Sequence, residues 1–294
     1  MPKLDAIISV SEAFCIVLVK PWARVMAVST QAARAEQHVA TSDFILWTEG
    51  IVKRFGGVVA LDGVSVRIPR KRITLLIGPN GSGKTTLVNV ISGFYAPDAG
   101  RVIYEGKDIT GRPPHLIARM GIIRTFQIPK PFLNLTVLEN LLAANPPGSY
   151  ENPYLAWVSK KRWIRVEDEA VERAFKILKL LGLDNEWDQR ATALSGAGLK
   201  LLEVGRALMS GARLMIMDEP AAGVNPAKAH EIFSTLTRLR DEHGITFFII
   251  EHRIDIAAKY VDYAYAMHLG RVISEGPPEK VLHDPRVIES YIGG

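Results

Sequence analysis

The sequence contains little cysteine and no long hydrophobic run. Its single cysteine, Cys15, cannot form a disulfide within the chain, and it leaves no set of thiolates for a metal cluster. The best candidate for a membrane span, Ala6 to Val19, is shorter than the roughly 20 residues such a helix needs and is interrupted by Glu12. Internal repeats and low-complexity tracts are also lacking. The 294 residues, 48% hydrophobic and 23% charged, are ordinary for one large globular domain or two small ones.

Charge of one sign is not in strong excess. The 36 lysines and arginines against 31 aspartates and glutamates give a formal net charge of +5, which suits an anionic ligand, a nucleic acid or an acidic membrane surface. The densest basic cluster consists of Lys160, Lys161, Arg162 and Arg165. Because short clusters of this kind are usually solvated faces, we expect no nucleic-acid partner.

Residues 1–43 differ from the rest of the chain. Their apolar residues lack a clear period, and a polar run follows from Ser29 to Ser42. We therefore expect an N-terminal extension that is disordered, or an over-predicted start with Met26 as the true initiator. A secretory leader is a weaker alternative, because Asp5 and Glu12 interrupt the apolar stretch.

From residue 44 onwards, strand and helix patterns alternate. Short runs rich in β-branched residues predict strands at 44–55, 64–68, 73–77, 214–217 and 245–250. A helix is predicted at 227–242, and a short hairpin with two helices at 263–294. Between about residues 129 and 192 apolar residues recur at helical spacing, which predicts an inserted helical subdomain.

A glycine-rich loop connects a buried strand to a helix. Residues 73–77 form an apolar run suited to a strand buried on both faces, and the loop that follows fits the pattern G-x-x-x-x-G-K-[ST]. In such a loop, backbone N–H groups surround phosphate oxygens, the lysine reaches the outer phosphates and the hydroxyl ligates Mg²⁺. The predicted phosphate-binding residues are Gly78, Pro79, Asn80, Gly81, Ser82, Gly83, Lys84, Thr85 and Thr86.

Two later strands end in residues that suit phosphate chemistry. The strand at 214–217 is followed by Asp218, a candidate Mg²⁺ ligand, and by Glu219, a candidate base for an attacking water. The strand at 245–250 is followed by Glu251 and His252, at the edge where open parallel sheets place their ligand sites. His252 is a candidate partner of the γ-phosphate, although a single histidine after a strand is often structural.

Over about residues 44–294 the order of motifs resembles the nucleotide-binding subunits of ABC transporters. The resemblance implies an α/β fold of the P-loop NTPase type, with a mostly parallel core sheet, an N-terminal antiparallel β subdomain and the helical insertion. It implies that Phe55 stacks on adenine, that Gln127 senses Mg²⁺ and water, and that His252 is the switch histidine. A core aromatic for Phe55 and a plain loop glutamine for Gln127 are the alternatives. Asn225 matches the loop that crosses the dimer, and a helix cap before Pro226 is a compatible reading.

The signature motif of this family is altered. Leu194-Ser195-Gly196-Ala197-Gly198 stands where Leu-Ser-Gly-Gly-Gln is expected. In the family this helix start binds the ATP of the other subunit, so Ser195 and Gly196 are expected to contact nucleotide. We expect Ala197 to bring a Cβ close to the nucleotide, and Gly198 lacks the glutamine side chain. The chain is therefore predicted to pair with a second ABC ATPase that has a complete signature, giving two unequal sites.

Finer matches are similar to the ATPase subunits of branched-chain amino acid importers. They lie at residues 112–115, 124–127, 134–140 and 284–293. The resemblance implies ATP and Mg²⁺ as cofactors, permease subunits as partners, an external solute-binding protein as an indirect partner, and a peripheral location on the cytoplasmic face of the cell membrane. Importers of urea and short amides, a soluble ABC-type ATPase acting on nucleic acid or ribosomes, and a non-hydrolysing regulatory subunit remain as alternatives.

Overall fold

The computed structural model of the chain describes residues 43–125, 130–146 and 160–292. Contacts divide the chain into two units, Met1–Phe44 and Ile45–Gly294. The first unit lies almost wholly outside the described residues, so the extension at 1–43 stays a prediction. Among the described helices, none is both long and apolar enough to cross a bilayer.

The core of the second unit is a six-stranded sheet in the order β11-β10-β4-β9-β8-β7. Four of its five pairings are parallel, and only β10 with β11 is antiparallel. The mostly parallel core sheet is therefore confirmed. Its strands are β4 (Ile73–Ile77), β7 (Ile122–Arg124), β8 (Leu214–Asp218), β9 (Thr246–Ile250), β10 (Tyr263–His268) and β11 (Arg271–Gly276).

A second sheet has five strands and contains the N-terminal antiparallel subdomain. Strands β2, β1, β5 and β6 are adjacent and antiparallel, and β3 pairs with β1. These strands are β1 (Phe44–Phe55), β2 (Val58–Val64), β3 (Arg67–Pro69), β5 (Ala99–Tyr104) and β6 (Lys107–Asp108). The single strand predicted at 64–68 is wrong. The hydroxyl of Thr48 donates to the Val64 carbonyl and accepts from the Val66 N–H, so a side chain interrupts the ladder there.

Helices cover the core sheet and form the insertion. Their bounds are α1 (Lys84–Ile91), α2 (Pro114–Arg119), α3 (Val137–Leu142), α4 (Lys160–Leu181), α5 (Gly196–Met209), α6 (Pro226–His243), α7 (Ile254–Ala257), α8 (Pro278–Leu282) and α9 (Pro285–Ile292). In the range of the predicted insertion, the described residues belong to helices and loops. Thr136 and Glu139 form a reciprocal capping box that starts α3.

The core sheet lies between two apolar clusters. In β4, Ile73, Leu75 and Ile77 belong to one cluster and Leu76 belongs to the other, as expected when side chains alternate across a sheet. This explains why β4 is apolar at four of its five positions, with Thr74 the one polar residue. Because β4, β8 and β9 are parallel, their carboxyl ends lie at one edge of the sheet, and this edge carries the residues predicted to bind nucleotide.

Candidate active site

The glycine-rich loop turns sharply after β4, and two of its glycines have no substitute. Gly78 has φ +151°, and a Cβ there would lie 2.2 Å from the Met267 carbonyl oxygen. Gly83 has φ +102°, and a Cβ would lie 2.6 Å from the Ala60 carbonyl oxygen. Any side chain at either position would push the loop away from the neighbouring strands.

Lys84 begins α1 and lies inside the loop. Its Nζ donates hydrogen bonds to the carbonyl oxygens of Gly78 at 2.7 Å and Pro79 at 2.9 Å. Burial lowers the pKa of the Lys84 ammonium, and the carboxylates of Asp218 and Glu219 oppose that shift. The ammonium is therefore held where the loop would enclose phosphate oxygens.

The two carboxylates after β8 have different partners. Asp218 Oδ2 accepts from Arg124 Nη2 at 3.4 Å, and both side chains are largely buried. Glu219 has a left-handed backbone, with φ +52°, and its Oε1 lies 3.4 Å from His252 Nε2. Arg124 also donates to Asn89 of α1, so it connects the end of β7 to the helix that follows the phosphate loop.

The Glu251 carboxylate hydrogen-bonds the backbone of two loops, the one after Glu219 and the one that carries His252. It is 2% exposed, and its Oε1 accepts from the Ala221 N–H at 2.7 Å. Its Oε2 accepts from the N–H groups of His252 at 2.8 Å and Arg253 at 3.0 Å. One buried carboxylate thus ties the loop after Glu219 to the loop that carries His252. The sequence placed Glu251 at this edge but gave it no role.

These residues line a cleft of about 400 Å³. It brings together Asn80, Gly81, Ser82, Gly83, Lys84, Thr85, Thr86, Asp218, Glu219 and His252 of the predicted set. Gly78 and Pro79 belong to the loop without lining the cleft, and Gln127 lies outside the described residues. Val58, Val59, Ala60, Ile250 and Leu269 complete the lining without having been predicted.

Phe55 ends β1 and is 44% exposed, so the core-aromatic alternative is wrong. Its ring meets Tyr95 edge-on, with ring centroids 5.2 Å apart, and Lys53 Nζ lies 5.6 Å from its centroid. Asp98 accepts from Lys53 Nζ at 3.0 Å and from the Arg54 N–H at 2.6 Å, which pins the end of the strand. Phe55 is outside the cleft lining and presents its ring to solvent.

The altered signature forms the start of α5, away from the cleft. Ser195 caps the helix by accepting from the Gly198 N–H at 3.1 Å, and both Ser195 and Gly196 are exposed. Ala197 is 5% exposed and belongs to an apolar core cluster. The expectation that its Cβ approaches a nucleotide is therefore wrong, because the methyl group is buried within its own chain.

Asn225 is confirmed as a helix cap. Its Oδ1 accepts from the Lys228 N–H at 2.8 Å, and Pro226 occupies the first position of α6.

Two further contacts at the site were not predicted. Lys200 Nζ donates to the Glu219 carbonyl oxygen at 2.9 Å, and the Gly78 N–H donates to the Tyr291 hydroxyl at 2.7 Å. Tyr291 lies 213 positions after Gly78, so only its place in the closing motif could have drawn attention to it. Gly78 thus connects the terminal helix α9 to Lys84 through its two backbone polar groups.

The oxygen donors of the cleft suit a hard divalent cation. The Thr85 hydroxyl and the Asp218 carboxylate both line it, and Mg²⁺ prefers such ligands together with phosphate oxygens. The charge and donor chemistry at this edge therefore fit a metal that arrives with a triphosphate.

Comparisons with known proteins agree with this geometry. Residues 61–222 match the family described as ABC transporter, and residues 271–294 match the one described as branched-chain amino acid ATP-binding cassette transporter. The probable branched-chain amino acid transport ATP-binding protein LivG of Archaeoglobus fulgidus is 52% identical over 85% of this chain and 95% of its own length. The high-affinity branched-chain amino acid transport ATP-binding protein BraF of Pseudomonas aeruginosa is 35% identical over 85% of this chain and 98% of its own length.

Solved structures are similar as well. A nucleotide-free ATP-binding cassette from an ABC transporter superposes with a TM-score of 0.73 at 49% identity, over 85% of this chain and 100% of that one. An ATP-binding cassette of an ABC transporter in its ADP conformation gives 0.74 at 48% identity, over 85% and 99%. These matches confirm the predicted P-loop fold and the ABC-type ATPase activity that it implies. The chain belongs to the ABC transporter family.

Proposed function

We propose that this chain is the ATP-hydrolysing subunit of an importer for branched-chain amino acids. The observation that carries the proposal is the cleft in which Lys84, Asp218, Glu219 and His252 converge at the carboxyl edge of the sheet. The names of the relatives and the match at residues 271–294 support the solute class. Urea and short amides are the competing solutes, because the ATPase itself touches no transported molecule.

The polar residues of the phosphate loop and the ends of β8 and β9 have distinct roles in hydrolysis. The loop N–H groups and Lys84 would bind the β- and γ-phosphates, and Thr85 and Asp218 would hold a Mg²⁺ ion, which would supply charge neutralisation there. The Glu219 carboxylate accepts a proton from water as the water oxygen attacks the γ-phosphorus and the bond to the bridging oxygen breaks. His252 Nε2 lies 3.4 Å from Glu219 Oε1 and would contact both that carboxylate and the γ-phosphate.

A second ABC ATPase subunit pairs with this chain in the transporter. Ser195 and Gly196 are exposed at the start of α5, and a Cβ at Gly196 would meet nothing within 4 Å. This open face suits the nucleotide of another subunit, since helix N-termini bind phosphate. Because Gly198 lacks the glutamine of the family signature, the partner's nucleotide is bound less well than the one held here. The pair is therefore a heterodimer with unequal sites.

The permease docks at a cleft of about 330 Å³, whose lining includes Thr125 and Lys130, the described residues nearest to Gln127 in the sequence. Arg124, Thr125, Lys130, Glu203 and Arg206 are among its lining residues. Phe132, which is 50% exposed, contacts one of the lining residues, because the Arg206 guanidinium lies 5.0 Å from its ring centroid. Leu133, the next residue in the chain, is 54% exposed. Charged lining residues beside exposed apolar side chains suit a short permease helix on the cytoplasmic side of the membrane. The solute-binding protein would act on the ATPase only through the permease.

Reconstitution of the whole transporter in vesicles tests this proposal. The complex should take up leucine, isoleucine and valine with ATP inside, and its ATPase should rise when loaded binding protein is added. Lys84→Ala should remove ATP binding, and Glu219→Gln should keep binding while lowering turnover at least about a hundredfold, as for a lost general base.

Three outcomes would contradict it. Uptake of urea alone would reject the solute class, and full turnover after Glu219→Gln would reject the catalytic role. Replacement of Phe132 and Leu133 by alanine should uncouple ATPase from uptake while leaving basal turnover unchanged. Unchanged uptake in that variant would reject the docking site.

A further inference from the structure

A buried lysine lies directly behind the catalytic carboxylate. Lys200 is in the second turn of α5 and is 9% exposed. Among the described residues, its side chain makes one hydrogen bond, from Nζ to the Glu219 carbonyl oxygen at 2.9 Å. Burying an ammonium costs free energy unless it is hydrogen-bonded and lies near an opposite charge. The surroundings of Lys200 must therefore supply both.

The compensation comes from carboxylates of the catalytic edge. Burial lowers the pKa of Lys200, and the charges of Glu251, Glu203 and Glu219 oppose that shift. Glu251 has the largest of these opposing effects on the pKa of Lys200, and it also accepts hydrogen bonds from the N–H groups of Ala221 and His252. Lys200 and Glu251 are thus buried groups of opposite charge that both hydrogen-bond the turn containing Glu219, Lys200 at the Glu219 carbonyl and Glu251 at the Ala221 N–H.

The Glu219 backbone needs such support because it is strained. A non-glycine residue with φ +52° costs roughly 1–3 kcal/mol and persists only where its surroundings hold it. The Glu219 N–H donates to the Ile250 carbonyl at 2.8 Å, and its own carbonyl accepts from the Ala222 N–H at 3.0 Å as well as from Lys200. Lys200 is the only side chain among these partners, and it comes from a different element.

The same face of α5 also contacts the backbone of Lys130. Glu203, one turn after Lys200, accepts from the Lys130 N–H at 3.0 Å. Arg206, one turn further, donates to the Lys130 carbonyl oxygen at 2.9 Å. Helix α5 therefore makes three polar contacts from positions spaced three residues apart. One reaches the Glu219 carbonyl, and the other two reach the backbone of Lys130.

We propose that Lys200 is a positioning residue for the catalytic carboxylate of Glu219. Its ammonium fixes the peptide after β8 and so aims the Glu219 side chain toward the phosphate loop and His252. A displacement of the signature turn would reach Glu219 through this one hydrogen bond. The inference rests on the proposed catalytic role of Glu219, and the experiment below separates the two.

Lys200→Met removes the ammonium and keeps the length of the side chain. We expect its kcat for ATP to fall about tenfold or more, while the dissociation constant for ATP, measured with and without Mg²⁺ by a fluorescent analogue, stays within about twofold, because no phosphate-loop contact changes. Lys176→Met, at an exposed position on α4, is the matched control and should leave both values unchanged. Wild-type kcat in Lys200→Met, or parallel losses of ATP binding and turnover, would overturn the proposal.

If Lys200→Met does not fold, Lys200→Gln decides the matter, because its amide is too short to reach the Glu219 carbonyl but remains polar. The same split between kcat and ATP affinity is expected, and wild-type kcat would overturn the proposal. In the Glu219→Gln background, Lys200→Met should lower the residual rate no further, since the carboxylate that it positions is gone. A full additional tenfold loss there would assign Lys200 some other role. Full turnover of Glu219→Gln alone would instead refute the proposed function.

Discussion

The altered signature yields the most informative prediction, because Gly198→Gln restores one missing side chain. A Cβ at position 198 would lie 3.3 Å from Leu194 Cβ and 3.4 Å from Ser195 Oγ, so the backbone at Leu194 must shift by a few tenths of an ångström to admit it. Replacing a helical glycine by glutamine gains about 0.5 kcal/mol of helix propensity, which offsets that crowding. The substitution should therefore be nearly neutral for stability, and its effect on rate will report on the nucleotide.

The expected gain follows from one added hydrogen bond. A glutamine side chain that contacts the partner's nucleotide contributes about 1 kcal/mol, which corresponds to about fivefold in rate. We expect the ATPase of the chain by itself to rise by that factor, and that of the mixed pair with the second subunit to rise less. Steady-state phosphate release, for the chain alone and with its partner, measures both.

Ala197→Gly is the control, since the methyl group of Ala197 is buried in its own chain. It should lower stability by about 2 kcal/mol, from one lost methyl and one helical glycine, without raising the rate. If Gly198→Gln folds normally and its homodimer rate is unchanged, the signature is not what limits the site, and the idea of unequal sites fails. If Ala197→Gly alone raises the rate, the assignment of its methyl to the core is wrong.

Four more predictions follow from particular contacts. Gly78→Ala should abolish ATP binding in a folded protein, because its Cβ would meet the Met267 carbonyl at 2.2 Å. Tyr291→Phe removes one hydrogen bond to the phosphate loop and should weaken ATP binding about fivefold at unchanged kcat, corresponding to about 1 kcal/mol. Glu251→Gln should lower the free energy of unfolding by about 3 kcal/mol, measured in urea, because a neutral amide cannot accept all three N–H groups. Asp218→Asn should bind metal-free ATP about tenfold more tightly and gain nothing from Mg²⁺, measured by titration calorimetry.

The parts of the site that follow buried parallel strands could be predicted from the sequence. A strand such as β4, β8 or β9 is apolar at nearly every position because both of its faces are covered, so its polar end stands out. Parallel strands place such ends at one edge, which is why Lys84, Asp218, Glu219 and His252 were expected together. The glycines at positions 78 and 83 were also expected from the sequence, because the phosphate-loop pattern requires glycine at both.

Contacts between distant segments could not be predicted. Nothing in the residues around Lys200 or Tyr291 indicates that one reaches the Glu219 carbonyl and the other the Gly78 N–H, because both depend on how whole helices pack. The break between β2 and β3 depends on Thr48, on the neighbouring strand, whose hydroxyl replaces ladder partners at Val64 and Val66. Short elements such as β6 and β7 have too few residues for a periodic signal.

The burial of Ala197 could have been found from the sequence. Positions 197, 201 and 204 recur at helical spacing, and Leu201 and Val204 are apolar and buried. The comparison with the family consensus drew attention to the missing glycine and away from the period of the helix. Helical phase is thus a better guide to the direction of this side chain than the identity that the motif expects.

The charges that line the nucleotide cleft explain why a metal must accompany the triphosphate. Among the described lining residues, the one lysine is Lys84 and the two carboxylates are Asp218 and Glu219, so the charges of these three side chains sum to −1. Metal-free ATP therefore meets repulsion from two carboxylates, which the Lys84 ammonium, Arg124 beside Asp218, the loop N–H groups and the positive end of α1 oppose. A unit charge about 6 Å away at an effective dielectric constant near 20 amounts to about 3 kcal/mol before salt screening, so removing one carboxylate should strengthen metal-free binding by about tenfold or more. Glu219→Gln should show the same gain and, unlike Asp218→Asn, should also respond to Mg²⁺, because Asp218 is the one of these two carboxylates that is proposed to bind the metal.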